Sequence, residues 1–331
     1  MKPQEQHIKY ARKILNFIEK HDHFMLSGHI NADGDAIAAV LAMQMFLEKM
    51  GKTAYAIFSD KKLDHRFDYL RNFNRIVNYD PEKGFDKKIE SAIILDVPGY
   101  KRLGNVARLL PPAQRVVKVD HHPCEDVLGH IDWVDEEASS TTAMIFEILD
   151  QSAMEIDLDL AKAVFTGIVY DTGRFSFSNT TARDYYIAAQ MVDIGVKPSE
   201  ITNRVFFENS FTALKTIGKG LASLENYLDG AVNVIYLDAN DMSKNDQSEI
   251  EELANYSVAI RGGEVGLFIR EIKPGFHKVS FRSRGKVDVN AVAKAFDGGG
   301  HSRAAGCRIE GNKKEILPRI LEEIRKQLVE K

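Results

Sequence analysis

Apolar residues at helical spacing (Ile8, Ala11, Ile14, Leu15 and Ile18) predict an amphipathic helix near the start of the chain. Phe24-Met25-Leu26 then reads as a buried strand. From Asp35 a long apolar helix runs to Met50 and stops at Gly51. Residues 55–58, 92–95 and 116–119 predict three further strands, and residues 143–149, 160–169 and 182–194 three further helices. Such alternation predicts an α/β fold with a mostly parallel sheet covered by helices on both faces. The rhythm breaks at Gly195-Val196-Lys197-Pro198, after which a helical stretch is expected to about Tyr227. Beyond it, residues 231–237, 265–271 and 278–282 read as strands, and residues 289–296 and 315–329 as helices. The expected organisation is a first domain over residues 1–195, a helical connector over 196–226 and a smaller α/β domain over 227–331.

Composition narrows the class. The 331 residues suffice for two domains, and 44% hydrophobic with 28% charged residues suits a globular protein with a real core. No apolar run is long enough to cross a bilayer, and the polar start shows no secretory signal, so a cytoplasmic protein is expected. Cys124 and Cys307 make no disulfide framework. A net charge of −4 argues against a protein that coats long nucleic acid. Residues 270–308 nonetheless hold nine Lys and Arg against three acidic residues, which fits a solvated face or a local anion site.

The candidate chemistry lies in four clusters. His29, Asp33 and Asp35 fall within seven residues, where Gly34 is expected to let the backbone turn so that they converge. Asp96 ends one predicted strand, and Asp120-His121-His122 ends another. Asp171 lies in Tyr170-Asp171-Thr172-Gly173. Hard divalent cations take oxygen ligands, and manganese also accepts imidazole. Two cations held about 3.5–4 Å apart need several carboxylates, one of them bridging. Each cluster also has a structural reading, with Asp33 and Asp35 as helix caps, Asp96 and Asp120 as turn residues and Asp171 as a helix stop.

In this order and spacing the clusters resemble the DHH phosphoesterase superfamily. The resemblance extends to Ser280-Phe281-Arg282-Ser283-Arg284 and to Gly298-Gly299-Gly300-His301-Ser302-Arg303-Ala304-Ala305-Gly306, which look like its associated C-terminal domain. It covers nearly the whole chain and is closest in plan to the oligoribonuclease and adenosine 3′,5′-bisphosphate (pAp) phosphatase branch. It implies two divalent metal ions, manganese before magnesium or cobalt. His29 and Asp33 would hold one, Asp35, His121 and Asp171 the other, and Asp96 would bridge them. Asp120 would orient the imidazoles, and His122 would contact the scissile phosphate. Arg282, Ser283, His301 and the loop of Gly298, Gly299 and Gly300 would grip the nucleotide, with the active site in the cleft between the domains.

The implied reaction is attack of a metal-bridged hydroxide. It would act on short single-stranded oligoribonucleotides, giving nucleoside 5′-monophosphates, or on pAp. A phosphodiesterase of linear or cyclic dinucleotides, and a non-catalytic nucleotide sensor, are the alternatives. A homodimer is the default assembly. Ala32 stands where the family usually has Pro, Ala38-Ala39 where it has Gly-Ser, Asp297 where Gly is common and Arg303 where Asn is common. The last two bear on substrate preference.

Overall fold

A computed structural model describes residues 5–241 and 249–329. The chain divides into two compact units, Met1–Glu208 and Asn209–Lys331. The first unit begins with α1 (Glu5–Lys20), β1 (Phe24–Ser27), α2 (Gly34–Lys49), β2 (Ala54–Phe58) and β3 (Val77–Asn78). β4 (Ser91–Leu95), β5 (Val116–Asp120) and β6 (Ile131–Val134) follow. α3 (Thr141–Ser152), α4 (Leu158–Asp171), α5 (Ala182–Ile194) and α6 (Pro198–Thr202) complete it.

The six strands form one sheet in the order β3-β2-β1-β4-β5-β6, and every neighbouring pair is parallel. Strand order reverses between β1 and β4. In open parallel sheets ligands gather beyond the carboxyl ends of the strands at such a reversal. His29 follows β1 and Asp96 follows β4, so the two strands flanking the reversal each deliver a candidate ligand.

Side-chain alternation sorts the sheet into two apolar faces. Phe24, Leu26, Ile93, Val117 and Val119 pack under Ile37, Leu41, Met144, Ile148 and Val164 of α2, α3 and α4. Met25, Ile57, Ala92, Ile94 and Val116 pack on the other side under Leu103 and Val106, from a 3₁₀ segment at Tyr100–Leu109. α2 is apolar on nearly all sides, as befits a helix buried from Gly34 to Leu47. The sequence pattern had not predicted β6, whose buried Trp133 stacks on Tyr10 of α1 with ring centroids 5.8 Å apart.

The second unit contains α7 (Phe211–Ala222), β7 (Glu225–Tyr227), β8 (Val232–Leu237), α8 (Leu253–Val258) and β9 (Val265–Lys273). β10 (Phe276–Ser283), α9 (Val289–Lys294), β11 (Gly299–His301), β12 (Ala304–Glu310) and α10 (Lys313–Val329) follow. Its sheet runs β11-β12-β10-β9-β8-β7. β8 and β9 pair parallel and the remaining pairs are antiparallel. Leu267, Val279, Phe281, Val292, Ile316 and Ile320 form its main core, and Ile235, Phe268, Leu253 and Ala254 a smaller one on the opposite face.

Two expectations are corrected here. The helical stretch expected to Tyr227 ends at Ala222, and Glu225–Tyr227 pairs with β8 instead. The expected glycine loop is largely strand, with Gly299–His301 paired to β12. No helix among the described residues is long and apolar enough to cross a membrane.

Candidate metal centre

The loop between β1 and α2 supplies the first donors. His29 is buried, with Nδ1 3.0 Å from the Ile30 carbonyl. Its Nε2 lies 3.4 Å from Asp96 Oδ2 and 3.7 Å from Asp33 Oδ2. Asp33 Oδ1 meanwhile caps α2, accepting from the Asp35 and Ala36 amides at 3.1 and 3.2 Å. The helix-capping and cluster-facing readings of Asp33 thus coexist, one on each oxygen. Gly34 does not serve as the turn the sequence suggested. Its φ is not in the left-handed region, and it is required because a Cβ there would sit 2.5 Å from the Tyr170 ring.

Asp35, in the first turn of α2, is fully buried and meets the N-terminus of α3. Thr141 N donates to its Oδ2 at 2.7 Å and Thr142 N to its Oδ1 at 3.1 Å, and the Thr142 hydroxyl bonds Oδ1 as well. Two otherwise orphaned helix donors are satisfied by one carboxylate. Gly167 of α4 makes room for this contact, since a Cβ there would lie 2.1 Å from Thr142 Oγ1 and 2.6 Å from Asp35 Oδ1.

Asp96 follows β4 with φ of 63°, a strained value for a residue other than glycine. Its Oδ2 faces His29. Its Oδ1 lies 3.4 Å from both His121 Nε2 and His122 Nδ1, and accepts from the Thr141 hydroxyl at 2.9 Å. Asp120, the last residue of β5, accepts the His122 amide on Oδ1 and holds His122 Nδ1 at 2.9 Å. His121 Nε2 reaches Asp171 Oδ2 at 3.0 Å. Asp171 is the final residue of α4, so this cluster is carried by a helix end and not by a strand end. Asn179 ties down that end by donating to the Asp171 carbonyl at 3.0 Å.

Charge is crowded here. Burial, then repulsion from Asp96 and Asp171, pushes the Asp35 carboxyl well above the usual range. Burial also raises Asp171, with Asp33 and Asp96 adding to it against the pull of His121. Burial would raise Asp96 too, but His122, His121 and His29 outweigh it and hold its carboxyl well below the usual range. Burial opposes protonation of the imidazoles, yet Asp33 and Asp96 keep His29, and Asp171 and Asp96 keep His121, well above the ordinary histidine value. His122 is raised to about 9, with Asp96 and Asp120 overcoming its burial.

The donor set fits divalent cations. His29, Asp33 and Asp96 have ligand atoms within 4.8 Å of one another, as do Asp35, Asp96 and His121, and Asp96 belongs to both groups. Dications placed here would relieve the carboxylate repulsion, and oxygen with imidazole suits manganese-type ions. Sequence reasoning missed Thr141, Thr142 and Gly167. Their signal was the hydroxyl run Ser139-Ser140-Thr141-Thr142 and a glycine inside a helix.

In the second unit, Arg282 and His301 both pair with Ala304 across neighbouring strands, which puts them on one face of the sheet. Arg282 Nε donates to Asn255 at 2.9 Å. The Ser283 hydroxyl donates to the Val287 carbonyl at 2.6 Å and braces the following turn. Gly298 and Gly300 permit close approach, since a Cβ would lie 2.3 Å from the Gly306 carbonyl or 2.5 Å from that of Ala304. Asp297 has φ of 56°.

Comparison with known proteins matches residues 23–168 to the N-terminal domain of the DHH family and residues 231–330 to the DHHA1 domain. A Thermus thermophilus protein named bifunctional oligoribonuclease and PAP phosphatase NrnA is 30% identical over 92% of this chain and 89% of its own length. The Bacillus subtilis protein of the same name is 27% identical over 90% of this chain and 92% of its own. An exopolyphosphatase-related protein from Bacteroides fragilis shares the fold with a TM-score of 0.88, at 23% identity and 97% coverage of both chains. With its ordered ligand clusters and both domain matches, the chain belongs to the DHH family.

Proposed function

We propose that this chain is a phosphoesterase working with two divalent metal ions. Its substrates are short oligoribonucleotides, cleaved to nucleoside 5′-monophosphates, and pAp, from which it removes the 3′-phosphate. The observation that carries this reading is the placement of Asp96, whose two carboxylate oxygens face different donor groups. The relatives named for oligoribonuclease and PAP phosphatase activity support the substrate class.

His29, Asp33 and Asp96 would hold one ion, and Asp35, Asp96, His121 and Asp171 the other. When bound, manganese, or magnesium or cobalt in its place, supplies Lewis acidity at a phosphoryl group and a nucleophile at neutral pH. The protein's own groups do the rest. Asp120 turns His122 by holding Nδ1, and the opposite ring edge then meets the scissile phosphate. In the metal-free site Asp96 and Asp120 raise His122 to about 9, which favours the protonated ring there. In this proposal residues 1–195 form the catalytic domain, 196–226 the connector and 227–331 the nucleotide-binding domain. There Arg282 and His301 contact nucleotide phosphate, with Gly298, Gly299, Gly300 and Ser283 shaping the surface around them.

The test is release of phosphate and mononucleotide from pAp and from a 5′-phosphorylated diribonucleotide, with manganese, with chelator and with Asp96→Asn. Metal-dependent turnover of both substrates, lost in the variant, is expected. No turnover of either by a metal-loaded chain overturns the proposal.

A further inference from the structure

We infer that Thr141 is a positioning residue that aims the Asp96 carboxylate and so sets the affinity of the second metal-binding group, Asp35 with His121 and Asp171. This rests on the two-metal reading above. Thr141 is fully buried and opens α3. Its hydroxyl donates to Asp96 Oδ1 at 2.9 Å while its amide donates to Asp35 Oδ2 at 2.7 Å. One residue therefore bonds two carboxylates that lie 61 positions apart in the sequence. Among the described residues it is the one hydroxyl donor to Asp96, whose other side-chain partners are imidazoles at 3.4 Å.

The direction of this bond matters. Oδ1 is the oxygen that faces His121, whereas Oδ2 faces His29. A donor on Oδ1 fixes rotation of the carboxylate about its last bond. That restraint acts on a residue whose backbone sits in a left-handed conformation, with its amide bonded to the Val119 carbonyl at 3.0 Å. The amide and hydroxyl of the neighbouring Thr142 both bond Asp35, so among the described residues the link between the two carboxylates is made by Thr141.

Removing a hydrogen bond to a ligand typically costs 10–100-fold in metal affinity. Thr141→Val keeps the volume and the amide and removes only the hydroxyl. The experiment is a calorimetric titration of the metal-free full chain with manganese, with spin coupling between the two ions read by electron paramagnetic resonance. Asp171→Asn identifies which binding step belongs to the second group. Thr141→Val should weaken that step by about 10–100-fold, leave the other step unchanged and diminish the coupled signal, with thermal unfolding in chelator unaltered. Thr141→Ser should restore both steps. Should Thr141→Val fold poorly, Thr141→Ala is read in the same way. Unchanged binding in the hydroxyl-free variant overturns the inference, as does equal loss at both steps together with a lowered melting temperature. Fewer than two binding steps in the unaltered chain would instead overturn the two-metal reading.

Discussion

Metal uptake by this chain should be strongly pH-dependent. A metal ligand must be an unprotonated imidazole, yet the carboxylates around His29 and His121 hold both rings protonated well above the ordinary histidine value. Each ion therefore displaces at least one proton. One displaced proton changes an equilibrium about tenfold, or about 1.36 kcal/mol, per pH unit. Two displaced protons should raise the overall two-ion binding constant about 100-fold between pH 6.5 and 7.5. Asp35, whose carboxyl is also raised, adds to the effect wherever it is still protonated. The assay is manganese titration at several pH values in two buffers of different ionisation enthalpy, so that released protons are counted directly. A binding constant flat across that interval, with no proton release, would refute the reasoning. The sign reverses for stability of the metal-free chain. Raised histidines stabilise it fully below their unfolded pKa, and this is lost as pH rises through their folded values. The raised Asp35 and Asp171 carboxyls likewise cost stability once they ionise. In chelator the melting temperature should therefore fall as pH rises from neutral, whereas with manganese it should rise.

Other perturbations separate site from scaffold. Asp96→Asn should abolish both binding steps together and reduce turnover by more than about 100-fold, beyond the usual cost of losing a supporting group; retention of one tight site would argue that Asp96 does not bridge. Gly167→Ala should weaken metal binding and cost about 1–3 kcal/mol by overpacking, because the added methyl collides with Thr142 and Asp35; unchanged titration and melting curves would show that α4 can shift freely. Trp133→Ala, on the edge strand paired with Val119, should cost about 3–5 kcal/mol of stability. A denaturant midpoint shift worth less than about 1 kcal/mol would mean that its stacking on Tyr10 and its burial matter little.

Much of the first sheet was legible because β1, β4 and β5 are dominated by apolar residues and end at, or within two residues of, an Asp or His. His29, Asp96 and Asp120-His121-His122 were legible for the same reason, since they close or follow those strands, whereas Asp171 ends a helix. What escaped was carried by weaker patterns. β12 alternates buried Ala305, Cys307 and Ile309 with more exposed neighbours, but its small residues and Gly306 dilute the period of two. β11 is mostly glycine, so composition suggested a loop where pairing with β12 makes a strand. β6 has four residues, and its one large buried side chain, Trp133, gives no periodicity. Thr141 was invisible as a ligand support because a hydroxyl at a helix start ordinarily caps its own helix. Here Ser140 does that, by accepting from the Ala143 amide at 3.0 Å, and Thr141 is released to bond another segment.

The ligand clusters are far apart along the chain, with about 140 residues between His29 and Asp171. Ions that joined them would act as staples across most of the first unit, and cross-links that close long loops remove the most entropy from the unfolded chain. Free metal at about 100 times its dissociation constant adds about 2.7 kcal/mol per site. For two sites that rivals the roughly 5–15 kcal/mol that holds a typical domain together. Metal starvation should therefore lower the amount of this protein in a cell as well as its activity, because a chain without its staples is more often unfolded and open to proteolysis.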